Sequence, residues 1–207
     1  MTSTIDQSKA ALRAEMTRRR KQAATVAQAA GAALLARFES AVTPAPGVTV
    51  SGYWPIGSEI DARPLMARLS ERGHALGLPV VEAPGRPLLF RSWRPGEPLE
   101  KAGFGLSEPA ADKAPVTPGL LLVPLLGFDR RGFRLGYGGG FYDRTLERLR
   151  AAAPATLAVG LAFAAQEVEA VPLEPTDQRL DWIVTEREAI EIAADGPDRR
   201  RIEKAEA

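Results

Sequence analysis

The chain has 207 residues, of which 45% are hydrophobic and 26% are charged, a composition typical of one soluble globular domain. Its 27 basic and 26 acidic side chains give a formal net charge of +1, which excludes a strong overall field toward nucleic acid or an anionic membrane. The absence of cysteine excludes disulfides, thiolate zinc sites and cysteine nucleophiles. We expect a cytoplasmic monomer that binds neither membrane nor nucleic acid, with one domain over residues 1–207 and a charged tail frayed from about residue 195.

Helix-forming sequence fills the first 41 residues, and breaks near Thr25 and Gly31 divide it into two predicted helices. A third helix is predicted at 59–72, stopped by Gly73, and a fourth begins near Phe141. Apolar or alternating runs predict six strands, at residues 48–53, 75–81, 88–93, 120–126, 156–163 and 181–185. This alternation indicates an α/β fold, a single three-layer domain in which a mainly parallel sheet carries helices on both faces and binds ligands beyond the carboxyl ends of its strands.

One predicted connection, residues 94–119, is unusually long. It is rich in proline, glycine and charge and shows no clear periodicity. Because a connection of this length in a compact domain is usually functional, we interpret it as a candidate lid.

The most informative stretch is a predicted buried strand that runs into a glycine-dense loop and then a helix, with the sequence LLLVPLLGFDRRGFRLGYGGGFYDRTLERL. Glycine lacks the Cβ that opposes positive φ, so the backbone amides of this loop can converge on one anion. The start of the following helix adds unpaired N–H groups and the positive end of its dipole. The loop glycines are Gly136, Gly138, Gly139 and Gly140.

Charged side chains flank this glycine loop, with Arg134 before it and Arg144 after it. Asp143 lies in the first predicted helical turn, where a carboxylate can help to bind Mg²⁺ between nucleotide phosphates or can simply complement the helix dipole. The loop matches neither the Walker pattern GxxxxGK[ST] nor GxGxxG. It therefore predicts a phosphate site of another kind, with a plain tight turn as the alternative.

Two other classes of function remain open from the residues alone. Glycine-rich anion loops on α/β sheets also occur in phosphosugar isomerases and acyltransferase-like proteins. A module that binds RNA or nucleotides could use the basic run 18–21, but no aromatic and basic RNA-binding signature accompanies it, and we predict that the run is solvated surface.

The segment RLGYGGGFYDR resembles the signature of the 5-formyltetrahydrofolate cyclo-ligase family. Further segments agree with that family in the same order along the chain, so the resemblance covers most of it. These segments are KAALR at 9–13, GYWPIGSEID at 52–61, FGLSEP at 104–109 and VGLAFAAQEVEAVPLEPTDQRLDWIVTE at 159–186.

The resemblance implies an ATP site in which Lys9 and Arg134 are also catalytic. Lys9 and Arg13 lie four residues apart, so they share one helical face and can grip a polyphosphate together, although a solvated basic face would have the same spacing. The implied ATP-binding residues are Lys9, Arg13, Arg134, Leu135, Gly136, Tyr137, Gly138, Gly139, Gly140, Phe141 and Tyr142.

The resemblance also implies a site for a reduced folate. Trp54 can lie against a planar pterin, and the Glu59 carboxylate can accept two hydrogen bonds from an amino-pyrimidine edge. The implied folate-binding residues are Trp54, Glu59, Tyr137, Gly138, Gly139, Gly140 and Phe141.

A Mg²⁺ site near Asp143 and Asp177 is implied in the same way, with Asp181 as the alternative to Asp177. Tyr137 and Gly139 stand where some members of the family carry basic residues, so more of the phosphate charge would fall on backbone amides and on Lys9, Arg13 and Arg134.

The family's reaction is an ATP-dependent cyclisation that releases ADP and phosphate. The 5-formyl oxygen is phosphorylated first, and N10 then attacks the activated carbon, which closes the 5,10-methenyl ring. No enzyme nucleophile is required, which agrees with a predicted site of amides, cations and Mg²⁺.

Overall fold

The structure, a computed structural model, describes residues 4–193, so the charged tail expected from residue 195 lies outside the described residues. Four α-helices are present, α1 (Thr4–Val26), α2 (Ala30–Ala41), α3 (Arg63–Glu71) and α4 (Phe141–Ala152), with short 3₁₀ turns at Gly103–Gly105 and Ala164–Gln166. The strands are β1 (Val50–Ser51), β2 (Leu76–Val80), β3 (Leu89–Ser92), β4 (Glu100–Lys101), β5 (Ser107–Glu108), β6 (Leu120–Pro124), β7 (Gly127–Phe128), β8 (Arg134–Leu135), β9 (Leu157–Leu161), β10 (Trp182–Val184) and β11 (Ala189–Glu191).

The central sheet has seven strands in the order β11-β10-β9-β6-β1-β2-β3. The five inner strands are all parallel, in the order β10, β9, β6, β1 and β2. The two edge strands, β11 and β3, pair antiparallel with β10 and β2. The mainly parallel α/β sheet predicted from the sequence is therefore confirmed.

Alternate side chains of the central strands pack into two separate hydrophobic clusters. Leu120 and Leu122 of β6 are fully buried in a cluster with residues of α2 and α3. Leu121 and Val123 point into a second cluster, which contains residues of α4. Because successive residues of a strand face opposite sides of the sheet, the helices cover both faces and give the predicted three layers.

The main error in the predicted elements concerns the third helix, which begins at Arg63 rather than at residue 59. Pro64 lies in its first turn, where its missing N–H is harmless, and the Asp61 carboxylate accepts a hydrogen bond from the Arg63 N–H at 2.9 Å. Glu59 is therefore not a helix N-terminal charge. It lies in the turn that follows β1, close to the edge of the sheet.

The segment 94–119 contains the two-stranded ribbon β4–β5 and is attached to the edge of the sheet. The Val116 N–H donates to the Phe90 carbonyl at 2.9 Å, and the Glu108 carboxylate accepts the Val81 N–H at 3.0 Å. The antiparallel edge strand β11 and the ribbons β4–β5 and β7–β8 were not predicted, because runs of two or three residues carry no readable periodicity.

The order of the strands marks one point in the sheet where a ligand site is expected. The chain passes from β1 outward to β2 on one side and from β6 outward to β9 on the other. At such a switch point the carboxyl ends of the two central strands leave a crevice. Within residues 4–193, no helix is long and apolar enough to cross a membrane.

Candidate functional site

The glycine loop lies at this switch point, between β8 and α4. Gly138 has φ +98° and Gly140, the residue before α4, has φ +60°, and both values belong to the left-handed region that favours glycine. A Cβ on Gly139 would lie 2.7 Å from the Phe141 ring. The loop therefore depends on Gly138, Gly139 and Gly140, and the unpaired N–H groups of the first turn of α4 lie beside them.

Arg13 of α1 contacts this loop directly. Its Nε donates a hydrogen bond to the Gly136 carbonyl at 3.0 Å, and a Cβ on Gly138 would stand 3.5 Å from its guanidinium. On the other flank, the Arg144 guanidinium lies 5.6 Å from the Phe141 ring and donates to the Gly139 carbonyl. Two cations thus border the exposed loop, as an anion site requires.

Lys9 lies deeper, with 5% of its surface exposed, and contacts carboxylates rather than the loop. Its ammonium donates to Glu174 at 2.7 Å and to Asp177 at 2.8 Å. Burial lowers the pKa of Lys9, but the hydrogen bonds and charges of Asp177 and Glu174 outweigh this and hold the pKa above its ordinary value. Lys9 is therefore charged at neutral pH.

Arg134 is 8% exposed and continues the same group of charges. Its guanidinium donates to Asp143 and to the Gln178 carbonyl, each at 2.7 Å. Burial lowers the pKa of Arg134, whereas the charges of Asp143 and Asp177 act in the opposite direction. We call these five residues the Asp177 cluster: Lys9, Arg134, Asp143, Glu174 and Asp177.

The structure separates the two candidates for the second metal carboxylate. Asp181 binds Arg150 and the Ala158 N–H, both at 2.7 Å, at the amino end of β9 and therefore away from the crevice. Asp177 lies in the cluster with Asp143. Of the two, only Asp177 is positioned beside the loop.

The residues described include no group of three or more His, Cys, Asp or Glu side chains that could hold a metal ion alone. The cluster contacts of Asp143 use its Oδ1, and those of Asp177 use its Oδ2. Each carboxylate therefore has a second oxygen to offer. One or two carboxylates are what Mg²⁺ takes from a protein when phosphates and water complete its shell, so these residues fit that kind of site.

A second group, on the other side of the loop, is centred on Glu59, whose side chain is 4% exposed. The Ile56 N–H donates to its Oε2 at 2.8 Å, and the Tyr137 hydroxyl donates to its Oε1. Burial raises the pKa of Glu59 above its ordinary value, while Tyr137, Ile56 and Arg20 oppose that rise. The loop thus reaches Glu59 through Tyr137.

Arg20 completes this group, which corrects the prediction that the run 18–21 is surface. Arg20 is only 6% exposed, whereas Arg18 and Arg19 are exposed and bind Glu15. We call the second group the Glu59 cluster: Arg20, Ser58, Glu59 and Tyr137.

The sequence held a signal for Arg20 that the run of basic letters obscured. Lys9, Arg13, Met16 and Arg20 follow one another at spacings of four, three and four, which places them on a single face of α1. Met16 of that face is fully buried with Leu126, Phe133 and Leu135. The face therefore points inward along its whole length.

Trp54 is half-buried and belongs to the same connection after β1 as Glu59. Its ring meets that of Trp93 edge to face at 5.9 Å, and the Arg63 guanidinium lies 5.4 Å from its centre. Leu135, a predicted ATP contact, is buried in β8, where its carbonyl accepts the Leu126 N–H at 2.8 Å. Its side chain packs with Met16 and Phe133, so it supports the loop from the core side.

Two buried hydroxyls lack a hydrogen-bond partner among residues 4–193, that of Ser51 at the carboxyl end of β1 and that of Tyr142 in the first turn of α4. Burial raises the pKa of Tyr142, with Glu59 adding to the rise and Arg134 opposing it, so charges of both clusters act on this hydroxyl. A buried donor of this kind is explained when a ligand supplies the missing acceptor.

The chain matches the model of the 5-formyltetrahydrofolate cyclo-ligase family over residues 5–186. It is 38% identical over 152 residues to the 5-formyltetrahydrofolate cyclo-ligase of Mycolicibacterium smegmatis, which covers 70% of this chain and 76% of the relative. The enzyme of the same name from Escherichia coli K12 is 37% identical over 142 residues, 66% of this chain and 77% of the relative.

A solved structure has a similar fold. The NMR structure of Aquifex aeolicus 5,10-methenyltetrahydrofolate synthetase superposes with a TM-score of 0.70 at 27% identity. The match covers 92% of this chain and 95% of that one. The likeness therefore extends over the whole sheet and its helices.

Proposed function

This chain belongs to the 5-formyltetrahydrofolate cyclo-ligase family, and we propose that it converts 5-formyltetrahydrofolate to 5,10-methenyltetrahydrofolate while ATP is converted to ADP and phosphate. The observation that supports this most is the position of the glycine loop. Its two sides face groups of different chemistry, the charged Asp177 cluster and the Glu59 cluster. A loop so placed can align a polyphosphate with a planar, hydrogen-bonding substrate.

On the ATP side, the amides of the loop and the first turn of α4 offer donors to phosphate oxygens. Arg13 and Arg144 already lie against the loop and can follow the phosphates. Arg134 and Lys9 are held by carboxylates, so the positions of their charged groups are fixed and need not reorganise during the reaction. This fixed placement is the role that we propose for them as catalytic residues.

Mg²⁺ would bind at Asp143 and Asp177, through the carboxylate oxygens that the cluster leaves available, together with phosphate oxygens of ATP. Bound there, it would neutralise phosphate charge. Lys9 holds Asp177 by an ion pair of 2.8 Å, and Arg134 holds Asp143 by one of 2.7 Å, so both carboxylates are fixed in place.

On the folate side, Glu59 can accept two hydrogen bonds from the amino-pyrimidine edge of the pterin. The Ile56 N–H fixes one of its oxygens at 2.8 Å, which sets the direction of the other. The half-buried ring of Trp54 can provide an apolar wall for the pterin, and the unpaired Tyr142 hydroxyl offers a further donor.

The chemistry then needs alignment rather than an enzyme nucleophile. The 5-formyl oxygen attacks the γ-phosphorus of ATP, and the bond to the ADP oxygen breaks. N10 attacks the activated formyl carbon and loses its proton, and the carbon–oxygen bond breaks with release of phosphate. The enzyme's part is to hold both substrates in line, to exclude water from the activated carbon and to stabilise the phosphate charge.

The test is to incubate the purified chain with 5-formyltetrahydrofolate and to follow methenyl absorbance. Parallel arms omit ATP, omit Mg²⁺ with a chelator present, or replace ATP with a non-hydrolysable analogue. We expect product only in the complete reaction, with one ADP formed for each methenyl product. Equal rates without ATP would refute the proposal and favour a chemistry in which the loop binds a phosphorylated substrate.

A further inference from the structure

The Glu59 cluster contains a buried cation that the proposed reaction does not use. The Arg20 side chain is 7% exposed and lies in α1, far from Glu59 in sequence. Its Nε donates to the Ser58 hydroxyl at 3.1 Å, and its NH1 donates to the Tyr137 hydroxyl. The same NH1 lies 3.6 Å from Glu59 Oε1, and the guanidinium carbon lies 5.5 Å from the centre of the Tyr137 ring.

We propose that Arg20 is a positioning residue for folate recognition, which holds the Glu59 carboxylate ionised and Tyr137 in place beside it. This inference rests on the proposed function, because it takes Glu59 as the group that binds the pterin. Arg20 itself acts through Glu59 and Tyr137.

The burial of Glu59 is the reason that such a residue is needed. A carboxylate out of contact with water tends to take up a proton, which would leave a pterin edge facing a mismatched donor. An arginine stays charged under all ordinary conditions, so its guanidinium favours the ionised carboxylate at any pH at which the enzyme works. The Ser58 hydroxyl fixes the other side of that guanidinium.

Tyr137 shows where the ligand donor would stand. Its hydroxyl donates to Glu59 Oε1, the oxygen that the Ile56 N–H leaves available. The Tyr137 side chain is 53% exposed and belongs to the glycine loop, so it can move aside when a pterin donor replaces it. Arg20 contacts both the hydroxyl and the ring of Tyr137, and it therefore defines the position to which Tyr137 returns.

Several groups act on the protonation of Glu59. Arg20 of α1 faces it as a cation, and Tyr137 of the loop donates to it. The buried hydroxyls of Tyr53 and Tyr142 are close enough for the Glu59 charge to raise the pKa of each. Among these, Arg20 is the one cation within 4 Å in the described part of the chain, so its removal should raise the pKa of Glu59 further.

The experiment compares Arg20→Gln, Arg20→Lys, Glu59→Gln and the double variant Arg20→Gln/Glu59→Gln with the unaltered chain. Arg19→Gln is the matched control, because Arg19 is the exposed neighbour in the same helix and binds Glu15. Each protein is titrated with 5-formyltetrahydrofolate and, separately, with a non-hydrolysable ATP analogue over a range of pH. Thermal unfolding of each preparation measures stability.

We expect Arg20→Gln to weaken folate binding about tenfold or more and ATP-analogue binding less than about twofold, as for loss of one partner of a buried charge pair. The pH below which folate affinity falls should move upward. In the Glu59→Gln background, the effect of Arg20→Gln should shrink to about twofold or less, since coupled residues are not additive. The folate affinity of Arg20→Lys should lie between those of the unaltered chain and Arg20→Gln. The folate affinity of Arg19→Gln should equal that of the unaltered chain.

If Arg20→Gln weakens folate binding equally in the unaltered chain and in the Glu59→Gln variant, the positioning role is refuted. It is also refuted if Arg20→Gln leaves the folate affinity and its pH profile unchanged. If Arg20→Gln does not fold, Arg20→Lys decides the matter: an unchanged affinity and pH profile refutes the role, and a partial loss supports it. Failure of the proposed function is distinguishable, because then the unaltered chain itself forms no methenyl product from 5-formyltetrahydrofolate, ATP and Mg²⁺.

Discussion

The two clusters on either side of the glycine loop differ in how their charges are held. In the Asp177 cluster two cations meet three carboxylates through direct bonds of 2.7–2.8 Å, drawn from segments that are far apart in the chain. In the Glu59 cluster one cation lies 3.6 Å from one carboxylate, and a tyrosine hydroxyl bonds to both. Direct ion pairs thus hold the Asp177 cluster together, whereas the neutral and movable side chain of Tyr137 links the charges of the Glu59 cluster.

This difference suits the two proposed substrates. A polyphosphate brings several negative charges. A site whose cations are already held in place spends little free energy on reorganisation when such a ligand binds. A pterin edge is neutral and brings directed donors. The Glu59 carboxylate must therefore have an oxygen that exchanges the Tyr137 hydroxyl for a pterin donor when the substrate binds. We therefore expect substitutions in the Asp177 cluster to affect stability as well as ATP, and those around Glu59 to affect folate selectively.

The largest effect should come from Gly138→Val in the loop that both clusters share. A branched side chain at φ +98° is strained by about 1–3 kcal/mol, and its Cβ would stand 3.5 Å from Arg13. We expect ATP affinity to fall about 10- to 100-fold. Gly136→Val is the matched control, because nothing lies within 4 Å of a Cβ there and its φ is not positive. Equal ATP affinities in titrations of the two variants would make Gly138 an ordinary turn residue.

A smaller effect should separate Lys9 from Arg13. Lys9→Ala removes the partner of Asp177, whose side chain is 15% exposed, and a lost hydrogen bond to a charged group costs about 1.5–3 kcal/mol. For a chain of this length we expect Tm to fall by about 2–4 °C per kcal/mol. Arg13→Ala should lower ATP affinity about tenfold and leave Tm within about 2 °C, since Arg13 is half-buried and its side chain bonds to the Gly136 carbonyl rather than to a buried charge.

Calorimetry and ATP titration of both variants test this separation. The spacing of Lys9 and Arg13 suggested one exposed pair, and under that interpretation both alanine variants would keep their stability. If Lys9→Ala unfolds at the same temperature as the unaltered chain, the Asp177 cluster does not hold the fold, and the contrast between the clusters fails.

The contrast between these two basic residues shows what the sequence could and could not reveal. The spacing of four placed Lys9 and Arg13 on one helical face, and the glycines identified the loop, because both signals are local. The partners of Lys9 could not be predicted in the same way, since Glu174 and Asp177 meet it only through folding of distant segments. Helix and strand order was predictable for long periodic runs.

Where the prediction failed, the missing information was tertiary. Arg20 was taken as surface because it belongs to four successive basic residues, yet the helix turns only that member toward Met16 and the crevice. Glu59 was placed in a helix because helix-forming sequence follows it, whereas Asp61 and Pro64 set the true start at Arg63. In both cases a local pattern was overridden by packing.

The Mg²⁺ requirement of the reaction should distinguish Asp143 from Asp181. Asp143→Asn keeps the size of the side chain and an acceptor for the Gln178 N–H but loses the charge, so we expect the Mg²⁺ concentration for half-maximal activity to rise several-fold. Asp181→Asn should leave it unchanged, because Asp181 binds Arg150 at the amino end of β9. A lower activity with the same Mg²⁺ requirement would mean that Asp143 serves only to hold Arg134.

The smallest effect should be that of Trp54→Phe on folate. Arg63 lies over the ring at 5.4 Å and Trp93 meets it edge to face at 5.9 Å, so the indole is held while part of it stays accessible. Phenylalanine keeps an aromatic face of smaller area, and aromatic pairs contribute about 0.5–1.5 kcal/mol beyond their burial. We therefore expect folate affinity to fall about 2- to 10-fold and ATP-analogue affinity to stay the same.

Trp93→Phe provides the comparison, because Trp93 is 4% exposed and its Nε1 donates to the Glu97 carbonyl at 3.1 Å. That substitution should lower Tm, through the lost bond and the space left behind, more than it lowers folate affinity. Quenching of tryptophan fluorescence by 5-formyltetrahydrofolate measures both variants, and it should be weaker in Trp54→Phe than in Trp93→Phe. If the two variants bind folate equally well and are quenched equally, Trp54 is part of the core and the folate side of the loop is defined by the Glu59 cluster alone.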